Sequence, residues 1–143
     1  MEASYKYGEL TSAIIGAAME VHTHLGNGFQ EVIYQRSLDI EFEKRKIPAS
    51  REIEMQVFYK GLEVGTRRVD FLIGNVICVE LKSVVKLEDV HLSQALNYLE
   101  AFNLEIGLLL NFGSKSLEFK RLLNKKYRQL IVTPAQSSES PNP

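Results

Sequence analysis

Little in this 143-residue sequence marks a specialised class at first reading. There is one cysteine, Cys78, which excludes a disulfide within the chain and fits a reducing cytoplasm. No stretch approaches the ~18 consecutive apolar residues of a membrane span. The opening MEASYKYGEL lacks the basic-then-apolar build of a signal peptide. Together these predict a cytoplasmic chain with no membrane partner. Internal repeats and heptads are absent too. Seventeen basic and eighteen acidic residues leave a net charge of -1, without the basic excess that announces many nucleic-acid binders.

What is present is enough for one core. Apolar residues make up 45% of the chain, which suits a single globular domain, expected over residues 1–132. Three of the four prolines fall in residues 133–143, a segment with almost nothing to bury, which predicts a disordered tail. The near-zero charge hides a split. Residues 1–114 carry eleven basic and sixteen acidic side chains, whereas residues 115–128 carry six basic and one acidic.

Leu10, Ile14, Ala17, Ala18 and Val21 recur at helical steps and predict a helix over about 8–24, stopped by Gly26-Asn27-Gly28. A second helix is predicted over about 30–46, with Val32, Ile33, Leu38, Ile40 and Phe42 as buried candidates and Pro48 beyond it. From Arg51 the period becomes two, giving strands over 51–59, 62–73 and 76–81, the last apolar on both faces and so central. A helix over about 87–102 and a central strand over 106–112 follow, and 117–123 is read as a further strand. This order predicts an α/β (α+β) fold, a mixed central β-sheet flanked by helices.

Asp70, Glu80 and Lys82 are charged groups in or beside apolar strands, where burial is costly unless a partner or a task offsets it. Glu80 and Lys82 point to one side of an extended strand. A two-residue loop at Gly74-Asn75 would pair Asp70 with Val79, and a three-residue loop, 74–76, would pair it with Glu80. The second register is expected, because it puts both carboxylates on one face. Two adjacent carboxylates suit a Mg2+ or Mn2+ ion that keeps waters and accepts a phosphate oxygen, and a nearby lysine can orient a water nucleophile. Taken alone, so short a string reads more readily as a cross-strand salt bridge between Lys82 and an acid.

The company of the string changes its weight. Gly28-Phe29-Gln30-Glu31-Val32-Ile33-Tyr34, preceded by Glu20-Val21-His22, is followed in order by Tyr59-Lys60-Gly61, Asp70, Glu80-Leu81-Lys82 and His91. Gln94, Tyr98 and Gly107-Leu108-Leu109-Leu110-Asn111-Phe112-Gly113 complete the set. Over roughly residues 8–125 the sequence resembles the PD-(D/E)XK nuclease superfamily and, within it, the GxxExxY proteins. That resemblance implies a restriction-endonuclease-like core, Asp70 and Glu80 as metal ligands, Lys82 as catalytic lysine and Glu31 as a further acid at the metal. It also implies a QxxxY helix, Gln94 and Tyr98, beside the site. Residues four apart share a helix face, so an amide and a phenol would be presented together.

Tyr34 shares a helix face with Glu31, and His22 is expected to hydrogen-bond in or near the site. His22, His24 and Cys78 lack the second ligand pair that structural zinc requires. Gly113-Ser114-Lys115-Ser116 lacks the spacing of a phosphate loop. Lys115, Lys120, Arg121, Lys125, Lys126 and Arg128 are candidates for phosphate-backbone contact, or else a solvated face, and Arg67 and Arg68 could add to a positive rim. The resulting expectation is metal-dependent hydrolysis of nucleic-acid phosphodiesters, with DNA as substrate. Its rivals are a non-catalytic module that holds nucleic acid or protein, and an assembly protein with a structural ion cluster. A chain this small covers few base pairs, which leaves room for a homodimer or a protein partner.

Overall fold

The computed structural model describes residues 7–129. Residues 130–132 of the expected domain and the tail expected over 133–143 lie outside the described residues. In chain order the elements are α1 (Gly8–Leu25), α2 (Glu31–Lys44), β1 (Ala49–Tyr59), β2 (Leu62–Ile73), β3 (Ile77–Lys82), α3 (Asp89–Ala101), β4 (Ile106–Asn111) and β5 (Glu118–Leu123). The five strands form one sheet in the order β1-β2-β3-β4-β5. Only β3 and β4 run parallel, joined by the crossover through α3, so the sheet is mixed, as the element order predicts. No described helix is long and apolar enough to cross a membrane.

Burial explains the layering. α1 packs Ile14, Ala17, Ala18 and Val21, and α2 packs Tyr34, Leu38 and Phe42, onto one face of the sheet, against Phe71, Val79, Leu108 and Leu110. α3 covers the other face with Ala95 and Leu99. The two central strands are buried throughout except at Lys82. Within α2 the buried stripe differs from the expected one. Val32 and Ile40 are exposed, and Tyr34 and Gln35 take their place. Val90 of α3 is exposed as well. At the end of α1, Gly26 adopts φ 78°, while Gly28 has no positive φ, so only the first of the two glycines supplies a left-handed exit.

The β2–β3 connection settles the register. Ile73 pairs with Ile77 and Phe71 with Val79, a three-residue loop, and the same register continued places Asp70 opposite Glu80. The β1–β2 hairpin runs well past the end of β3, leaving Phe58, Tyr59, Leu62 and Val64 exposed on its distal arm. Tyr59, in the Tyr59-Lys60-Gly61 motif, is therefore in solvent.

The hairpin also changes faces midway. Ala49, Phe71 and Ile73 pack with α1 and α2, whereas Ile53, Met55 and Val69 pack with Cys78 and Leu99 below α3. Simple alternation would keep these odd-numbered residues on one side. The switch occurs where the β1–β2 ladder skips from Arg51–Phe71 to Ile53–Val69. Glu52, at the skipped position, has φ 55°, and the residue across from it is Asp70. Asp70 thus sits at a kink, where a side chain can turn from one face toward the other.

Candidate active site

Asp70 is fixed from two directions. Its Oδ2 accepts the Leu81 backbone N–H at 2.8 Å, standing in for a main-chain acceptor where β2 has left the ladder. Its Oδ1 accepts Gln35 Nε2 at 2.8 Å. Gln35 Oε1 in turn accepts from Arg51 Nη1 at 3.4 Å, and Arg51 Nε lies 3.6 Å from Asp39 Oδ2. A buried amide from α2 therefore anchors the carboxylate at the kink.

Glu80 is buried on the α3 face of β3, in the row that crosses the sheet through Leu109 to Lys120. Its Oε1 lies 3.3 Å from Arg67 Nη2. Lys82, half-buried two residues on, makes no ion pair among the described residues, so the salt bridge that a short string could represent is made by Arg67 instead. Glu80 and Lys82 line a narrow cleft with His91, Gln94 and Tyr98. Gln94 and Tyr98 present their amide and phenol on one face of α3, and Tyr98 stacks under the Arg67 guanidinium, 4.4 Å from ring centroid to carbon. His91 Nδ1 accepts the Glu88 N–H at 2.9 Å, which caps α3 and leaves the proton on Nε2.

Burial, with the charge of Asp70 beside it, pushes the Glu80 carboxyl up to about 8, while Arg67 and Lys82 pull it partway back. Partial burial works against the charge of Arg67, but the Tyr98 hydrogen bond and the nearby Glu80 and Asp70 outweigh it and hold the guanidinium more firmly protonated. Burial, then Glu80 and Asp70, push the Cys78 thiol well above its usual range, so it is inert as a nucleophile.

Other expected site residues lie elsewhere. Glu31 is exposed on the first turn of α2, one turn before Gln35 on the same face. Among the described residues no group of three His, Cys, Asp or Glu is arranged to hold a metal. Tyr34 is fully buried. Its hydroxyl donates to Gly26 O at 2.6 Å and accepts from Phe29 N, and its ring stacks on Phe112 at 4.6 Å. Ser83 Oγ donates to Phe29 O at 2.8 Å, tying this turn to the end of β3. Tyr34 is thus a positioning residue for the start of α2, with no access to a substrate. His22 is buried too, its Nε2 donating to Ser114 O at 3.0 Å, so it braces the loop after β4 and stays out of the cleft. Lys120 shares the Glu80 row, whereas Arg121 pairs with Leu108 on the α1 face; both border a groove against the start of α1.

Residues 8–122 match the family described as the PD-(D/E)XK nuclease superfamily. The chain belongs to that superfamily. The crystal structure of SSO0001 is similar, with a TM-score of 0.53 at 18% identity, over 86% of this chain and 61% of that one. At that identity the likeness concerns the fold alone, and the chain spans about three fifths of that protein's length. No curated protein matches the chain.

Within a PD-(D/E)XK fold the donor set fits a hard divalent cation. Mg2+ is commonly held by one or two carboxylates, with waters and phosphate oxygens completing the shell, and Asp70 with Glu80 is such a pair. Sequence reasoning missed Gln35, Asn111 and the pairing of Arg67. A polar residue in the stripe that buries Tyr34 and Leu38 was the available signal for Gln35, and an amide inside the run LLLNF was the signal for Asn111.

The raised Glu80 value makes stability depend on pH. Between an ordinary carboxylate value and about 8 the folded state binds the Glu80 proton and the unfolded state does not. This group's contribution is therefore fully present at acid pH and is lost as pH rises through that window. Glu80→Gln is expected to leave stability near pH 4 almost unchanged and to raise it by about 1–3 kcal/mol at pH 8–9. Urea melts at several pH values check this, and a difference that shrinks with rising pH contradicts it.

Proposed function

We propose that the protein is a metal-dependent nuclease that hydrolyses phosphodiester bonds of DNA, with Mg2+ or Mn2+ as cofactor. The observation that carries this reading is the convergence of Asp70, Glu80 and Lys82 at one end of the sheet, beside a cleft lined by Gln94 and Tyr98. Asp70 and Glu80 would hold the cation, which when bound supplies Lewis-acid charge and a lowered pKa for a coordinated water. Gln35 and the Leu81 N–H keep the Asp70 carboxylate aimed. To hold the cation Glu80 would have to be deprotonated. Lys82 orients the attacking water and offsets charge developing on the phosphate. Gln94 and Tyr98 contact the nucleic acid along the cleft, and Lys120, in the Glu80 row, meets its backbone.

The turn from Gly26 to Glu31, locked by Tyr34 and pinned to Ser83, supports membership of the GxxExxY branch. Its Tyr is the lock, and its Glu is left facing out beside the end of β3. The free, buried Cys78 supports a cytoplasmic setting. A homodimer or a protein partner would extend the few base pairs that one domain covers. A non-catalytic module on the same fold is the second reading, favoured by the Arg67–Glu80 pair, which already gives the acid a cation.

The test uses purified protein with labelled single- and double-stranded DNA and RNA, in Mg2+, Mn2+ or chelator, beside Asp70→Asn. Cutting of DNA that requires metal and falls at least about 100-fold in the variant is expected. Tight binding without cutting in every condition favours the module. Equal cutting by both proteins defeats the nuclease assignment.

A further inference from the structure

Among the described residues Arg67 is the one cation in ion-pair range of Glu80. It is held there by a single contact to Oε1, by the face and hydroxyl of Tyr98, and by Nη1 donating to the backbone carbonyl of Arg68. Its side chain is 34% exposed against 6% for Glu80. Arg67 pairs with Met55 on the arm of the hairpin that extends beyond the β2–β3 ladder, so its backbone has a strand neighbour on one side only. A buried acid therefore meets a cation that comes from an open arm on a long flexible stem.

We propose that Arg67 is an exchangeable counter-ion, which occupies the cation side of Glu80 until a divalent ion binds there and then turns to a phosphate of the nucleic acid. The inference rests on the metal-dependent reading above. Two cations cannot share one carboxylate edge at close range without strong repulsion. What holds Arg67 is replaceable: one monodentate carboxylate contact, the Tyr98 ring and hydroxyl, and the carbonyl of the neighbouring Arg68, which moves with the same strand, with no second carboxylate on its nitrogens among the described residues. The guanidinium fork matches phosphate geometry, and the Tyr98 ring beneath it belongs to the cleft assigned to the substrate. In the contrasting case, a permanent structural bridge, Arg67 would only tie the hairpin to α3. Its loss would then weaken the fold and the cation site alike.

The two cases differ in sign. Mn2+ binding is measured by calorimetry on the full chain for wild type, Arg67→Gln, Arg67→Lys and Glu80→Gln, with melting curves to establish folding. Arg67→Met, which keeps an aliphatic stem on the Tyr98 ring, replaces the Gln variant if that one does not fold. Binding of a labelled DNA duplex in Mn2+ is measured in a Lys82→Ala background, so that the probe stays whole. Exchange predicts Mn2+ binding tightened about tenfold or more in Arg67→Gln and near wild type in Arg67→Lys. It also predicts weaker DNA binding in Arg67→Gln, with a salt slope lower by about one phosphate contact. Mn2+ affinity equal to or below wild type in Arg67→Gln, with wild-type binding still lost in Glu80→Gln, overturns the exchange and leaves the metal site standing. Unchanged DNA affinity overturns the hand-over to phosphate. Absence of Mn2+ binding in every protein removes the metal reading and this inference with it.

Discussion

Lys82→Ala is expected to lower metal-dependent cleavage by about 10²–10⁴-fold with little change in melting temperature. The two halves of that expectation have separate causes. Lys82 is the last residue of β3 and the only one there that is not buried, and its side chain makes no ion pair among the described residues. Its structural contribution runs through the main chain, where Lys82 O accepts the Phe112 N–H at 2.8 Å, a bond that alanine keeps. Its positive charge faces Glu80 and is among the influences pulling that carboxyl down from a still higher value. Removing the charge both strips the water-orienting group from the cleft and makes Glu80 harder to ionise. The residual rate of the variant should therefore rise with pH to a more alkaline limit than the wild-type rate does. Initial rates on a fluorescent duplex from pH 6 to 9 check both statements. Wild-type rates in the variant would mean that Lys82 is a surface residue and that the cleft is not where bonds break.

The element order, the central pair of strands and the three-residue β2–β3 loop were legible because they follow from local rules. Period-two alternation marks strands, largely apolar runs mark the central pair VICVEL and IGLLLN, and the loop length between Ile73 and Ile77 sets the β2–β3 register as far as the Phe71–Val79 pair. The face switch at Glu52 and Asp70 was not legible. It needs a positive φ in a glutamate, which no side-chain pattern announces. That Tyr34 and His22 lie in the core rather than in the cleft was not legible either, for another physical reason. Helical spacing says which residues share a face, and it does not say whether that face looks into a cleft or into a core. Phe112 supplies the core partner for both rings. Glu31 illustrates the converse. It stands one turn from Gln35, yet the amide and not the acid reaches Asp70, because Ser83 pins the preceding turn to β3 and sets how far α2 advances over the carboxylates. Arg67 was visible only as part of a positive rim. Its pairing with Glu80 depends on the arm of the hairpin curling toward α3, a consequence of the same unannounced kink.

Gly113→Ala is expected to be the most damaging small substitution in the chain, costing about 3 kcal/mol or more and lowering the melting temperature by about 10 °C. The reason is steric rather than conformational, since Gly113 has no positive φ. A Cβ there would lie 2.5 Å from both N and O of Val84 and 2.6 Å from Ser83 C, all of them backbone atoms that cannot swing aside. The same approach carries a hydrogen-bond clamp. Asn111, fully buried, donates through Nδ2 to Val84 O at 3.0 Å, and its Oδ1 accepts from Val84 N at 2.9 Å and Gly113 N at 3.1 Å. Glu118 Oε1 accepts from Asn111 Nδ2 and from Leu87 N, each at 2.9 Å. Forcing residues 83–84 away from Gly113 therefore breaks several bonds at once, and each buried group left without a partner costs about 1–3 kcal/mol. The segment so displaced begins immediately after Lys82, so cleavage should fall with stability even though Gly113 does not line the cleft. Gly28→Ala is the matched control. Nothing lies within 4 Å of its added Cβ and its φ is not positive, so it should melt within about 0.5 kcal/mol of wild type. Thermal melts of the two alanine variants check the pair. If Gly113→Ala melts with the control, the close passage of residues 83–84 over Gly113 is not what holds Lys82 at the end of β3.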